Sequence, residues 1–255
     1  MKNNTPDNRP FFIGWESTTS PAITKFLKRF VLSLILISIL GAGLLAVSQK
    51  SVSDGLFEFG KPREFSGVLV RDPVPILLLD EPVDGKFFYY LVHPLKNGFP
   101  DSVASEFHLN HVSIKGTYIG NKTDAMIEVI PGSVNPTGKN TQSQTSSQTP
   151  TDQGTVSLTG EIVDSKCHLG VMNPGRFKPH RACAIQCIRG GIPPLLVTQS
   201  HDGQLNQFLI VNTDGSPINR SILDLIAIPV TITGQLKTSG PISIIYTSKD
   251  NIRSL

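Results

Sequence analysis

At 255 residues, with an apolar content of 39%, the chain has room for one or two small domains and is too apolar for a disordered tail. Its formal net charge of +3 lies wholly before residue 30, where Lys2, Arg9, Lys25, Lys28 and Arg29 outnumber Asp7 and Glu16 by three. Everything beyond is balanced, which removes the charge argument for nucleic-acid binding.

Residues 1–24 read as a cytoplasmic tail. "FFIGW" at 11–15 holds the sole Trp and reads as an interfacial aromatic anchor or as a docking motif for a membrane partner. Residues 25–48 read as a transmembrane helix: "FVLSLILISILGAGLLAVS" at 30–48 carries no charge, and as a helix it rises roughly 28 Å, enough to cross a hydrocarbon core. Lys25, Lys28 and Arg29 stand just before it. Cations on that side hold the N-terminus in the cytoplasm and put the rest outside, as a single-pass anchor of the cell inner membrane. A cleaved signal sequence is the rival reading, because Ala46, Val47 and Ser48 have the small-x-small form of a cleavage site.

After the helix the chain divides into a first β-domain (57–132), a flexible linker (133–156) and a second β-domain (157–255). The linker is Ser, Thr, Gln, Asn, Pro and Gly with almost no large apolar side chain, a composition that buries too little to offset ordering entropy. The two domains resemble each other. "FSGVLVRD" at 65–72 aligns with "LTGEIVDS" at 158–165, Gly67 opposite Gly160. "YLV" at 90–92 aligns with "LIV" at 209–211, and "HVSIKG" at 111–116 with "PVTITG" at 229–234. Period-two apolar alternation with Gly, Asn, Asp and Pro punctuation marks short half-buried strands. The expected fold class is mainly β: one N-terminal transmembrane helix, then two small OB-like barrels.

The alignment offset grows between the first and second matched blocks, so the second domain carries an insertion that the first lacks. This is "DSKCHLGVMNPGRFKPHRACAIQCIRGGIPP" at 164–194, which holds all three cysteines of the chain. Extra length on a rigid scaffold is a usual place for function. "PHRACAIQCIRGG" reads as a short helix, opened by Pro179 and stopped by Gly190-Gly191. On it His180, Cys183 and Cys187 fall at i, i+3 and i+7, one stripe. Cys167 comes from the end of a strand.

Two accounts fit these thiols. One is a staple, in which extracytoplasmic cysteines oxidise. Cys183 and Cys187 cannot bond each other in a regular helix, where their Cβ atoms lie about 6 Å apart, so Cys167 pairs with one of them. The other is a metal or redox site, in which Cys167, Cys183 and Cys187 with His180 or His168 make a four-ligand set for zinc or copper, or hold a thiolate-ligated cofactor. Lys166, Arg176, Lys178, Arg181 and Arg189 crowd the stretch and favour thiolate. Asp164 and Arg181 are read as supporting residues behind the ligands. His93, His108, His111 and His201 are scattered and read as surface or strand residues.

"GEIVDSKCHLGVMNPG" and "HRACAIQCIRGGIPPLLV" resemble the hallmark of an uncharacterised bacterial family of membrane-anchored extracytoplasmic domains. Its pattern is a Gly-x-Ile/Val-Val-Asp-x-x-Cys strand, a His-x-x-Cys-Ala-x-x-Cys helix and a Gly-x-Pro. "FFIGW" and "FEFGKPREFSGVL" resemble its anchored members too. The resemblance implies a neighbourhood of respiratory, molybdenum or Rieske-type redox systems and a protein partner there. It departs at His168, where an aromatic is common, so His168 is not counted as a ligand. The chain lacks a phosphate-cradling glycine loop, a GxSxG elbow, a C-x-x-C pair and a haem attachment motif. The expected function is therefore a membrane-anchored metal-binding or redox accessory subunit rather than an enzyme. The alternative is a structural adaptor, stapled by a disulfide, that binds protein partners at the membrane.

Overall fold

The computed structural model describes residues 19–49, 54–139, 150–240 and 242–255. "FFIGW" and residues 140–149 of the segment expected as a linker lie outside them. Two units are separate in their contacts, dividing after Ser51. The first contains helix α1, Pro21–Ser48, with a mean hydropathy of 2.7 and no buried residue in its apolar window. By length and composition it is a candidate membrane anchor or signal sequence. It begins at Pro21 rather than residue 25, because Ser20 caps it and Pro21 supplies the fixed φ of a first turn.

The second unit is β-rich. Its first half runs β1 (Leu56–Phe57), β2 (Arg63–Val70), β3 (Ile76–Val83), β4 (Lys86–Val92), helix α2 (Asp101–Glu106), β5 (His111–Gly120), β6 (Ala125–Val129) and β7 (Asn135–Pro136). Antiparallel pairs β2–β3, β3–β4, β5–β6 and β2–β5 and one parallel pair, β4–β6, close a five-strand barrel. Its interior is apolar, built on Leu69, Leu77, Leu91, Ile114 and Ile127.

The second half runs β8 (Thr151–Asp164), α3 (Arg181–Arg189), β9 (Pro194–Gln199), β10 (Leu205–Asn212), β11 (Pro229–Ser239), β12 (Ile242–Thr247) and β13 (Ile252–Ser254). Here β8–β9, β9–β10, β11–β12 and β8–β11 are antiparallel and β10–β12 is parallel. The aligned segments occupy matching places. Tyr90 pairs Met126 across β4–β6, and Leu209 pairs Ile244 across β10–β12. Gly67 and Gly160 also match: a Cβ on either would strike the next strand's backbone, at Leu78 and Val197 respectively. Only five residues, 71–75, join β2 to β3, whereas β8 and β9 are joined by 165–193, the inserted stretch.

The expected linker is corrected at both ends: Asn135–Pro136 form β7 and pair with Val112 and Ser113 of β5. Thr151 to Val156 belong to β8 and pair with β11. Residues 151–153 and 155 are exposed and Gly154 and Val156 half-buried, so polar side chains suffice in this part of the ladder. Cross-strand hydroxyls and amides hold it, with Thr159 Oγ1 and Thr231 Oγ1 3.0 Å apart and Thr155 Oγ1 donating to Gln235 Oε1 at 3.1 Å.

The two halves share a buried cluster that contains Val68, Phe88 and Met126 from the first and Cys167, Cys187 and Leu209 from the second. Backbone meets backbone at the seam: Gly98 N donates to Gly190 O at 2.8 Å, and a Cβ on Gly190 would overlap the Lys96 carbonyl. The sequence marks Gly190 only as a helix stop; its second role is to admit the 93–98 loop. Gly190→Ala should therefore lower stability by about 1–3 kcal/mol through forced displacement of that loop, read as a lowered melting temperature.

Candidate functional site

Strand β8 ends at Asp164, and the chain turns through a short π-type segment, Cys167–Val171. After a 3-10 turn at Lys178–His180 it enters α3, which ends where Gly190 N donates back to Gln186 O and Gly191 takes φ +99°. The helix stripe expected from spacing is present, and the turn after β8 brings Cys167 to it. Donor atoms of Cys167, His180 and Cys183 lie within 4.8 Å of one another, as do those of Asp164, Cys167 and Cys187. Cys167 belongs to both triplets. All three cysteines are free; Cys167 and Cys187 are buried and Cys183 is half-buried.

Asp164, fully buried, organises the site. Its Oδ1 accepts from Cys167 N at 2.9 Å, and its Oδ2 lies 2.8 Å from His180 Nε2. An ionised carboxylate only accepts, so Nε2 carries the hydrogen and a neutral ring turns a bare lone pair outward on Nδ1. That Nδ1 is buried and has no hydrogen-bond partner. A buried acceptor left open is unfavourable by about 1–3 kcal/mol, and it is the atom a metal would take.

The thiols are linked. Cys167 and Cys187 hydrogen-bond, which raises the Cys167 thiol, together with burial and Asp164, and lowers Cys187 against its own burial. Lys96, on the 93–98 loop of the first half, places Nζ 2.9 Å from Cys183 Sγ and 3.8 Å from Cys187 Sγ; the hydrogen bond to Cys183 raises its own pKa.

The cations expected around the thiols are engaged elsewhere. Arg181, expected as a supporting residue, donates to the Asp224 carbonyl at 2.9 Å and Arg189 to Gln186 Oε1 at 3.3 Å. Arg176 sits over the Phe177 ring. Lys166 is buried and reaches into the first half, donating to Glu128 Oε2 at 2.6 Å and to the carbonyls of Leu95 and His93. Lys96 is the cation that touches the thiols, and no local pattern marks it. His168 is buried with Nε2 unpartnered, its pKa pushed down to about 4 chiefly by burial, with Arg176 adding to the effect; it is outside both triplets. His111 is held by Thr137 and Asp80, and His108 Nδ1 accepts from Arg71 N. His93 meets Phe99 edge-on, and His201 is exposed.

No family model matches the sequence and no curated protein matches it, so the site is read from its own chemistry. A cleft of about 1290 Å³ runs beside it between the halves, lined by residues such as Arg71, His93, Arg189 and Tyr246, with no cysteine on its wall. Arg71 is already paired with Asp101 at 2.7 Å. The soft donors therefore lie at the seam, not in the cleft.

Asp164→Asn tests the organisation directly. An amide facing Nε2 reverses the His180 tautomer and puts the N–H on the buried Nδ1. Stability should fall by about 1–3 kcal/mol, and any metal affinity by roughly 10–100-fold, measured by thermal melt and chelator competition.

Proposed function

We propose that this protein is a single-pass membrane protein whose extracytoplasmic part, two OB-like barrels, carries a Cys3His metal centre in the inserted stretch. It acts as a metal-binding or redox accessory subunit of a membrane electron-transfer or metalloenzyme system, with a protein of that system as partner. The observation that carries this reading is the grouping of the buried His180 ring with two thiols, the ring held through Nε2 by Asp164 and its Nδ1 left without a hydrogen-bond partner. A carboxylate that orients a histidine through one nitrogen and leaves the other free is the usual support of a histidine metal ligand.

The residues fit a soft ion. Tetrahedral bonds of about 2.3 Å to sulfur set sulfurs roughly 3.8 Å apart; donors within each triplet lie within 4.8 Å of one another and need to close by about 1 Å, and Cys187 has to draw in toward the Cys167–His180–Cys183 group to complete the four. Three thiolates and an imidazole suit zinc or copper(I). Asp164 has both oxygens occupied and stays behind the ligands. A bound ion would supply charge stabilisation and rigidity, and in a redox-active form an electron site. The protein's own part is to hold the thiols dry and the imidazole in one tautomer.

The full chain, purified in detergent under reducing conditions, should hold one zinc or copper per polypeptide by elemental analysis. A reporter fused after Leu255 should be active only outside the cytoplasm, given the N-terminal cations; cytoplasmic activity would remove the compartment from the proposal. The adaptor reading keeps one observation in its favour, that Cys167 and Cys187 sit within the apolar cluster shared by both halves. It expects no metal, and under oxidising conditions a disulfide that leaves one titratable thiol.

A further inference from the structure

We infer that Lys96, delivered by the first half of the protein to the metal site of the second, is the compensating cation of that site. This rests on the Cys3His reading above. Lys96 Nζ donates to Cys183 Sγ at 2.9 Å and lies 3.8 Å from Cys187 Sγ. No other Lys or Arg among the described residues has a hydrogen bond to these sulfurs.

The argument is a charge balance. Three thiolates and a neutral imidazole around a divalent ion leave one net negative charge. The buried setting of Cys167, Cys187 and His180 makes an uncompensated charge unfavourable. The ionised Asp164 behind His180 adds another negative charge, and the ammonium of Lys96 offsets one of the two. The N–H to sulfur contact also spreads thiolate charge without taking a coordination position, as an outer partner does.

The placement of Lys96 is enforced. Its loop is pinned by Lys166, which donates to the carbonyls of His93 and Leu95, and by the Gly98 to Gly190 bond. Leu95 takes φ +63°, a left-handed conformation that a bulky residue holds only when its surroundings impose it. The equivalent loop of the second half, closed by Asn212 N to Ser216 O as the first is by His93 N to Asn97 O, carries Asp214 and Gly215 and no lysine. The metal site therefore needs both halves, and by linkage a bound ion tightens their contact.

The test uses the full chain in detergent, with zinc and cobalt(II) as probes and a chromophoric chelator as competitor. Lys96→Met should weaken zinc binding by roughly 10–100-fold, and Lys96→Arg should restore most of it. Lys96 is exposed, so both variants should fold, and circular dichroism without metal checks this. The cobalt sulfur-to-metal absorption should persist at saturation in both, because Lys96 is not a ligand. Equal zinc affinity in wild type, Lys96→Met and Lys96→Arg overturns the inference and leaves the Cys3His reading standing. Loss of the sulfur-to-cobalt band in Lys96→Met overturns the outer role. Wild-type protein that binds neither ion overturns the Cys3His reading and this inference with it. Should Lys96→Met misfold, Lys96→Gln takes its place, with the same two outcomes.

Discussion

Lys166→Met should lower the stability of the β-rich unit by roughly 3–5 kcal/mol, the usual effect of removing one partner from a buried ion pair. The ammonium has three donors and three partners, all in the first half: Glu128 Oε2 at 2.6 Å, Leu95 O at 2.6 Å and His93 O at 3.2 Å. Methionine fills the volume but leaves Glu128, whose side chain is 19% exposed, without its cation and strands two carbonyls. In a body of this size the change corresponds to a fall in melting temperature of roughly 6–20 °C. Pairing it with Glu128→Gln should recover part of the loss, because the uncompensated carboxylate is then gone. A Lys166→Met protein that melts with wild type would show that the seam is held by apolar packing alone.

How much of this was legible depends on distance along the chain. Local patterns carried far. The uncharged run gave α1, the Gly67 and Gly160 match gave equivalent strands, and the i, i+3, i+7 stripe gave the side of α3 that meets Cys167. Asp164 was legible as a supporting residue because it ends the strand that leads into Cys167. Long-range placement was not legible. Lys96 lies 87 positions from Cys183, and nothing near it in the sequence speaks of thiols. Lys166 neighbours Cys167 in sequence and points away from it, since both lie in the helical turn after β8, where successive side chains project roughly 100° apart. Nor could composition reveal that Thr151 to Val156 form strand, because polar side chains suffice in this part of the ladder. The start of α1 was misplaced because charge marked residue 25, whereas Ser20 and Pro21 carried the capping signal.

Cys183→Ser and Cys167→Ser should separate a metal centre from a staple, because they sit differently in the cluster. For a four-ligand structural ion worth about 10–16 kcal/mol of binding, loss of one thiolate should cost on the order of 10²–10³ in affinity. Both variants then give up metal to a chelator that leaves wild type loaded, and their folds are compared in metal-free buffer. Cys167→Ser should be the more damaging in that buffer, since Cys167 is buried, belongs to both donor groups and hydrogen-bonds Cys187. Half-buried Cys183 has less packing to lose. For a staple the pattern changes. Cys183 and Cys187, one helical turn apart, cannot bridge each other, so the bond must use Cys167. Cys167→Ser would then cost about 2–5 kcal/mol in oxidising buffer and nothing comparable in reducing buffer. Only one of Cys183→Ser and Cys187→Ser would match it, and no variant would change metal content. Redox-dependent stability in Cys167→Ser with no metal in wild type would sink the metal reading. Redox-independent stability with metal lost in all three would sink the staple.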